Sequence, residues 1–155
     1  MDIINYSREN NFEKVKECLK NGADVNLQNK YGNTALSLAS RRGNEEVVKL
    51  LLENGVDVNM QNKDGETALI WACWQGNYNI VKLLLAKGVD MNIQDKYGNT
   101  ALIWASWNGN EEVVKVLLAN NADINFQDGD GNNALFLASL NKQYKVVKLL
   151  ENQGG

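Results

Sequence analysis

The pattern of apolar and polar positions repeats along the chain at a fixed interval of 33 residues. Residues 22–26 read Gly-Ala-Asp-Val-Asn, and closely similar segments return at 55–59, 88–92 and 121–125, each 33 residues further on. An Ala-Leu pair preceded by Thr or Asn recurs at the same step, and no insertion breaks the register. Self-similarity of this kind predicts a repeat protein whose structural unit is 33 residues long.

The first apolar segment of each unit has the spacing of a short helix. In the second full unit, Leu69, Ala72 and Cys73 recur at i, i+3 and i+4, which places them on one helical face. Thr67 can cap this helix, because its hydroxyl can accept a backbone N–H of the first turn. Gly76 predicts the end of the helix, since glycine adopts the left-handed conformation at low cost.

A second apolar segment in each unit predicts a second helix. Asn77 is placed to cap it and Gly88 to end it. Its apolar face is supplied by Ile80, Val81, Leu83, Leu84 and Leu85. A polar stretch with Gly98 in a tight turn then leads to the next unit. Each unit is therefore predicted to be a helix, a turn, a second helix and a long loop.

Helices this short are not stable alone, so the units must stack and bury their apolar faces on one another. The predicted fold class is all-α, a single solenoid domain of antiparallel helix pairs with projecting β-turn-like loops. Lys142 and Glu151 depart from the pattern of the other units and predict a polar C-terminal end. The predicted divisions of the domain, residues 1–155, are an N-terminal capping half repeat at 1–21, internal repeats at 22–54, 55–87 and 88–120, and a C-terminal capping repeat at 121–155.

These motifs resemble the ankyrin repeat, which opens with Gly-x-Thr-Pro-Leu-His-x-Ala, has a Gly-His hinge and closes with Gly-Ala-Asp-Val-Asn. The likeness covers residues 3–154. The departures are systematic, and alanine replaces the proline at Ala35, Ala68, Ala101 and Ala134. The first histidine is replaced by Ser37, Ile70, Ile103 and Phe136, and the hinge histidine by Asn44, Asn77, Asn110 and Gln143. We expect the fold to survive these changes, whereas the hydrogen bonds that the histidines usually support come into question.

The resemblance implies that a partner meets the concave groove, formed by the inner face of each first helix and the loop tips. The groove positions in this chain are Arg41, Arg42, Trp74, Gln75, Trp107, Asn108, Leu140 and Asn141, after Arg8 and Glu9 in the half unit. Neighbouring helices pack about 8–10 Å apart, so Trp74 and Trp107 are expected to stand side by side as an aromatic platform. Tryptophan and arginine are enriched at binding hot spots, and the hypothesis is an apolar anchor at the tryptophans and an acidic element at Arg41 and Arg42. The competing interpretation is that these tryptophans only pack on their neighbours.

Two further tryptophans, Trp71 and Trp104, occupy an apolar position of the repeat, equivalent to Leu38. Packing between repeats is the favoured interpretation, and an extension of the aromatic platform is the alternative. Weaker candidate contacts lie at the loop tips: Tyr31, Asn33, Asp64, Glu66, Tyr97 and Asn99.

Catalysis and metal binding find little support in the residues. The chain has no histidine, its cysteines Cys18 and Cys73 are widely separated, and no Gly-Lys-Ser/Thr phosphate loop occurs. Residues 128–132 resemble the start of a calcium loop, but the glycine and glutamate that the loop requires are replaced by Asn133 and Ser139. The recurrent aspartate of each unit is interpreted as structural, bonding loop amides. The sequence thus predicts no cofactor, no metal and no enzyme.

Net charge and hydropathy argue against two further classes of partner, nucleic acids and membranes. The net charge of −3 argues against nucleic acid, and no apolar stretch is long enough for a membrane span. The N-terminus lacks the features of a secretory signal, so a cytoplasmic monomer is expected. The predicted function is non-catalytic binding of another protein or peptide. The alternative is a structural scaffold or a designed repeat protein without a defined natural partner.

Overall fold

The computed structural model describes residues 2–154, which fold into five consecutive pairs of helices. The helices are α1 (Ile3–Arg8), α2 (Phe12–Lys20), α3 (Ala35–Arg42), α4 (Glu45–Glu53), α5 (Ala68–Gln75), α6 (Tyr78–Ala86), α7 (Ala101–Trp107), α8 (Glu111–Ala119), α9 (Ala134–Leu140) and α10 (Tyr144–Gly154). None of these helices is long and apolar enough to cross a membrane.

The pairs stack in two layers. Each odd-numbered helix contacts the next odd-numbered helix, each even-numbered helix contacts the next even-numbered one, and the two helices of each pair contact each other. Within residues 2–154 there is no strand. The predicted all-α solenoid of helix pairs is confirmed.

The core is a ladder of equivalent residues from successive repeats. In the layer of first helices, the buried rungs include Leu36, Leu69 and Leu102. In the layer of second helices, they include Leu51, Leu84 and Leu117. All belong to one continuous apolar cluster. Since burial of apolar surface contributes roughly 25 cal/mol per Å², stacking supplies the stability that a single helix pair lacks.

Local hydrogen bonds begin and end the helices where the sequence predicts. The Thr67 hydroxyl accepts the Ile70 N–H at 3.2 Å, and Gly76 ends α5 in the left-handed conformation with φ of 73°. The Asp57 carboxylate accepts the Asn59 N–H at 2.9 Å, as the structural interpretation of the recurrent aspartate requires. These three predictions are confirmed.

The hinge asparagine works differently from the prediction. Asn77 makes no side-chain cap on α6; its Nδ2 instead donates to the Ser40 carbonyl of the preceding repeat at 2.7 Å. The last carbonyls of α3 have no partner within their own helix, so they need a donor from outside. The same bond is formed by Asn44 to Ser7 and Asn110 to Cys73, at 2.8 and 2.7 Å. Gln143 bonds one residue further along, to the Trp107 carbonyl at 3.2 Å. The amides thus connect successive repeats across the hinge without the family's histidine.

The projecting loops are also connected from one repeat to the next. The Lys63 N–H donates to the Tyr31 carbonyl at 3.0 Å, and the Gly129 N–H donates to the Tyr97 carbonyl at 2.8 Å. Gly32 adopts a φ of 79°, and a Cβ there would lie 2.9 Å from the Lys63 nitrogen. Glycine is therefore required at the tip, both for its conformation and for the close approach of the next loop.

The C-terminal end is only partly polar. Lys142 and Glu151 are exposed, in agreement with the predicted cap. Phe136, however, is 52% exposed, whereas Ile70 and Ile103 at the equivalent positions are 1% and 2% exposed. The internal isoleucines are covered by the following repeat, and residues 2–154 include no repeat that covers Phe136.

This difference in burial predicts a difference in stability. Ile103→Ala should lower the free energy of unfolding by about 3 kcal/mol, because it opens a cavity between repeats. Phe136→Ala, at the same register position, should lower it by less than about 1 kcal/mol. Urea denaturation followed by circular dichroism measures both, and equal losses would contradict the burial pattern.

The hinge bonds predict a second effect on stability. Asn110→Ala removes the amide that bridges to the preceding repeat, so the free energy of unfolding should fall by about 1–2 kcal/mol. Asn120→Ala is the control, because its amide bonds an exposed carbonyl, that of Val116, within its own helix. A control variant as unstable as Asn110→Ala would show that bridging between repeats is not the cause.

Candidate functional site

A column of stacked tryptophans lies along the inner face of the first helices. The ring centroids of Trp71 and Trp74 are 5.4 Å apart at an interplanar angle of 16°. The centroids of Trp74 and Trp104 are 4.2 Å apart at 12°. Trp71 and Trp74 stand at i and i+3 on α5, and Trp104 comes from α7 of the next repeat. We call Trp71, Trp74 and Trp104 the aromatic column.

The aromatic column corrects the expected pairing of Trp74 with Trp107. Trp74 stacks on Trp104 of the next first helix, which lies three residues before its own equivalent, Trp107. Trp71 is 8% exposed, whereas Trp74 and Trp104 are half-buried. Trp71 and Trp104 therefore combine the two interpretations that the sequence left open, since they pack between repeats and also extend the aromatic surface.

Arginine continues the column at its N-terminal side. The Arg41 guanidinium carbon lies 4.1 Å from the centroid of the Trp71 ring, in cation–π geometry. Arg41 and its neighbour Arg42 are both exposed. Because stacking occupies only the flat face of a guanidinium, the N–H groups at the edge of Arg41 can still donate to a carboxylate.

A buried carboxylate fixes the other end of the column. Asp95, only 6% exposed, accepts the Trp104 indole N–H through Oδ2 at 2.8 Å. Its Oδ1 accepts the backbone N–H groups of Tyr97 and Asn99, both at 2.9 Å. The Trp71 indole has no such partner among residues 2–154, since Asn62 occupies the register of Asp95. The orientation of Trp104 is thus set by one stacked ring and one hydrogen bond.

The remaining groove candidates divide into exposed and bonded side chains. Gln75 and Leu140 are exposed, and Trp107 is half-buried. Asn108 and Asn141 donate through Nδ2 to the carbonyls of Trp74 and Trp107, each at 2.9 Å. The two asparagine amides therefore connect repeats in the same way as the hinge residues.

The loop-tip candidates differ in how strongly they are held. Tyr31 and Tyr97 are exposed, and each has a lysine ammonium 5.0 Å from its ring centroid. Asp64 forms an ion pair with Lys96 at 2.7 Å. Asn33 accepts the Asn62 amide at 2.9 Å, and Asn99 is buried.

Glu66 is the loop-tip residue with a perturbed ionisation. Its carboxylate accepts the Asn62 amide at 2.8 Å. Burial raises the pKa of Glu66, and the charges of Asp64 and Asp95 raise it further, whereas the Asn62 hydrogen bond and Arg41 lower it. The Glu66 carboxyl therefore gives up its proton less readily than a fully exposed glutamate.

The aromatic column borders a cleft between α7 and α9 of about 340 Å³. Of the predicted residues, Trp107, Leu140 and Asn99 line it, together with Trp104 of the column. The loop-tip residues Asp130 and Asn132 also line it, and sequence reasoning missed the three residues that complete it: Ile103, Asp128 and Leu137. The signal for the acidic residues was present, because Asp128 and Asp130 stand in the register of Asn29 and Tyr31.

The two thiols take no part in this surface. Cys18 and Cys73 are free and buried. Burial raises the pKa of the Cys73 thiol, which favours the unreactive neutral form.

A family model described as ankyrin repeats (3 copies) matches residues 3–95 and 85–154. The chain belongs to the ankyrin-repeat family. Ankyrin repeats generally serve as protein-interaction modules. A search of the curated proteins finds no match. This ankyrin-repeat protein therefore has the architecture of an interaction module, and its own side chains must indicate what it binds.

The bond between Asp95 and Trp104 generates a prediction. Asp95→Asn should lower the free energy of unfolding by about 1–3 kcal/mol, because an amide N–H at a buried position replaces the oxygen that accepts the Trp104 indole N–H. Asp128→Asn is the matched control at the same register, where only loop N–H groups and the Asn132 amide are bonded. Chemical denaturation measures both variants. A loss as large in Asp128→Asn would assign the effect to the loop and not to the indole.

Proposed function

We propose that this ankyrin-repeat protein binds another protein or peptide in its concave groove, without catalysis. The observation that carries the proposal is the aromatic column, which is held in place by contacts within the chain itself. A preformed aromatic surface binds at a low ordering cost, since its side chains lose little further freedom. That the protein is cytoplasmic and that it acts as a monomer remain predictions from the sequence.

The residues proposed for contact with the partner differ in polarity along the groove. Trp74 and Trp107 offer half-buried indole surface to an apolar anchor of the partner. Arg41 and Arg42 are exposed beside it and suit an acidic element. Gln75 and the exposed tips Tyr31 and Tyr97 are proposed as peripheral contacts.

The test is affinity capture from a cell lysate with purified bait, followed by titration of each captured and identified protein. The bait variant Trp74→Ala/Trp107→Ala should lose about 30-fold in affinity, which corresponds to a hot-spot loss of about 2 kcal/mol. Its matched control is Tyr78→Ala/Tyr144→Ala, which removes two exposed aromatic rings from the layer of second helices.

Circular dichroism and thermal melting of each variant establish that it is folded. Equal affinity of wild type and both variants would place binding outside the groove. Failure of wild type to capture any protein would favour the alternative, a scaffold or a designed repeat protein.

A further inference from the structure

The cleft between α7 and α9 has apolar walls and an acidic rim. Trp104 and Trp107 come from one helix, and Leu137 and Leu140 from the other. Leu140 is 60% exposed, so its side chain is largely available to an occupant. The rim is formed by the loop tips, including Asp128 and Asp130.

The rim carries negative charge that the chain itself does not neutralise. Neither Asp128 nor Asp130 forms an ion pair with any cation of residues 2–154, whereas Asp64, in the register of Asp130, is paired with Lys96. Asp128 is nevertheless held in position, because its Oδ1 accepts the N–H groups of Asp130 and Asn132 at 3.0 and 2.9 Å. Carboxylates have several acceptor sites each, so both groups can accept further hydrogen bonds.

Residues of the cleft walls, like Asp128 at the rim, are held by contacts within the chain. Trp104 is fixed by its stack on Trp74 and by its bond to Asp95. The carbonyl of Trp107 accepts the amides of Asn141 and Gln143 at 2.9 and 3.2 Å, which fastens α7 to the last repeat. An occupant therefore meets a cleft that needs little rearrangement.

We infer that this cleft receives a lysine or arginine side chain of the protein partner, an inference that rests on the proposed function. The apolar stem would lie between the indoles and the leucines, and the cationic head would reach the two carboxylates at the rim. Indole faces attract cations as well, so both parts of the cleft favour the same occupant. A purely apolar side chain would cover the two carboxylates without pairing them, which is unfavourable.

The charges at the two sides of the groove give the partner a direction. Arg41 and Arg42 lie in the first full repeat, and Asp128 and Asp130 lie in the last. The fitting segment carries an acidic residue towards the N-terminal repeats, an apolar residue on the aromatic column, and a basic residue at the cleft. Reversal of the segment would bring like charges together at both ends.

A charge-neutral variant of the rim tests the inference. Asp128→Asn/Asp130→Asn removes both charges, and the fold should persist because Asn29 and Asn62 accept equivalent loop N–H groups in the other repeats. The matched control is Asp90→Asn/Asp123→Asn, which changes the net charge equally at exposed loop positions outside the cleft. The probes are peptides selected from a random heptapeptide library on the wild-type protein.

The selected peptides should contain lysine or arginine. Their affinity should fall about tenfold on Asp128→Asn/Asp130→Asn, a loss of about 1.4 kcal/mol, and stay unchanged on the control variant. Norleucine in place of the peptide lysine keeps the stem and removes the charge. It should weaken binding to wild type about tenfold and have little effect on binding to the rim variant, because the interacting charge is already absent.

The outcomes separate this inference from the proposed function. Peptides that lack a basic residue, or that bind the rim variant as tightly as wild type, overturn the inference. If those peptides still bind Trp74→Ala/Trp107→Ala more weakly than wild type, the proposed binding in the groove stands and only the inference about the cleft fails. Peptides that bind all variants equally, or a library that yields no binder, overturn both.

Discussion

The whole structure depends on the contact between one repeat and the next. A pair of helices of eight or nine residues, such as α3 and α4, buries too little apolar surface to be stable in water. Stacking buries Leu36, Leu69 and their equivalents in one continuous ladder. Every repeat is thus stabilised by its neighbours, and the groove exists only as a property of several repeats together.

Stacking brings helix ends and loops together, and their polar groups must then be satisfied. The hinge amide, Asn77 in the second full repeat, donates to a carbonyl at the end of the preceding first helix. A side-chain amide performs this task without a titratable group, so these bonds between repeats persist at any pH at which the chain folds. In this chain the hinge therefore has a bond between repeats that involves no change of protonation.

The stacked architecture and the features set by residues close in sequence could be predicted from the sequence, whereas individual side-chain contacts between repeats could not. Thr67, Gly76 and Asp57 act within a few residues of themselves, so their roles followed from local rules. Asn77 was misjudged because its acceptor lies 37 residues away in the chain. The stack of Trp74 on Trp104 depends on how a side chain leans across two helices, and periodicity contains no such information.

The groove shows how a uniform scaffold acquires a specific surface. Many buried positions, such as those of Leu36, Leu69 and Leu102, repeat unchanged, because each must fit the same interface between neighbours. The groove positions are less constrained, and one register contains Arg41, Trp74, Trp107 and Leu140 in turn. A second register holds Asn29, Asn62, Asp95 and Asp128, whose shared loop bonds tolerate either an amide or a carboxylate. Charge can therefore be placed at one end of the groove at little cost to the fold, and the proposed recognition rests on those departures from the repeat.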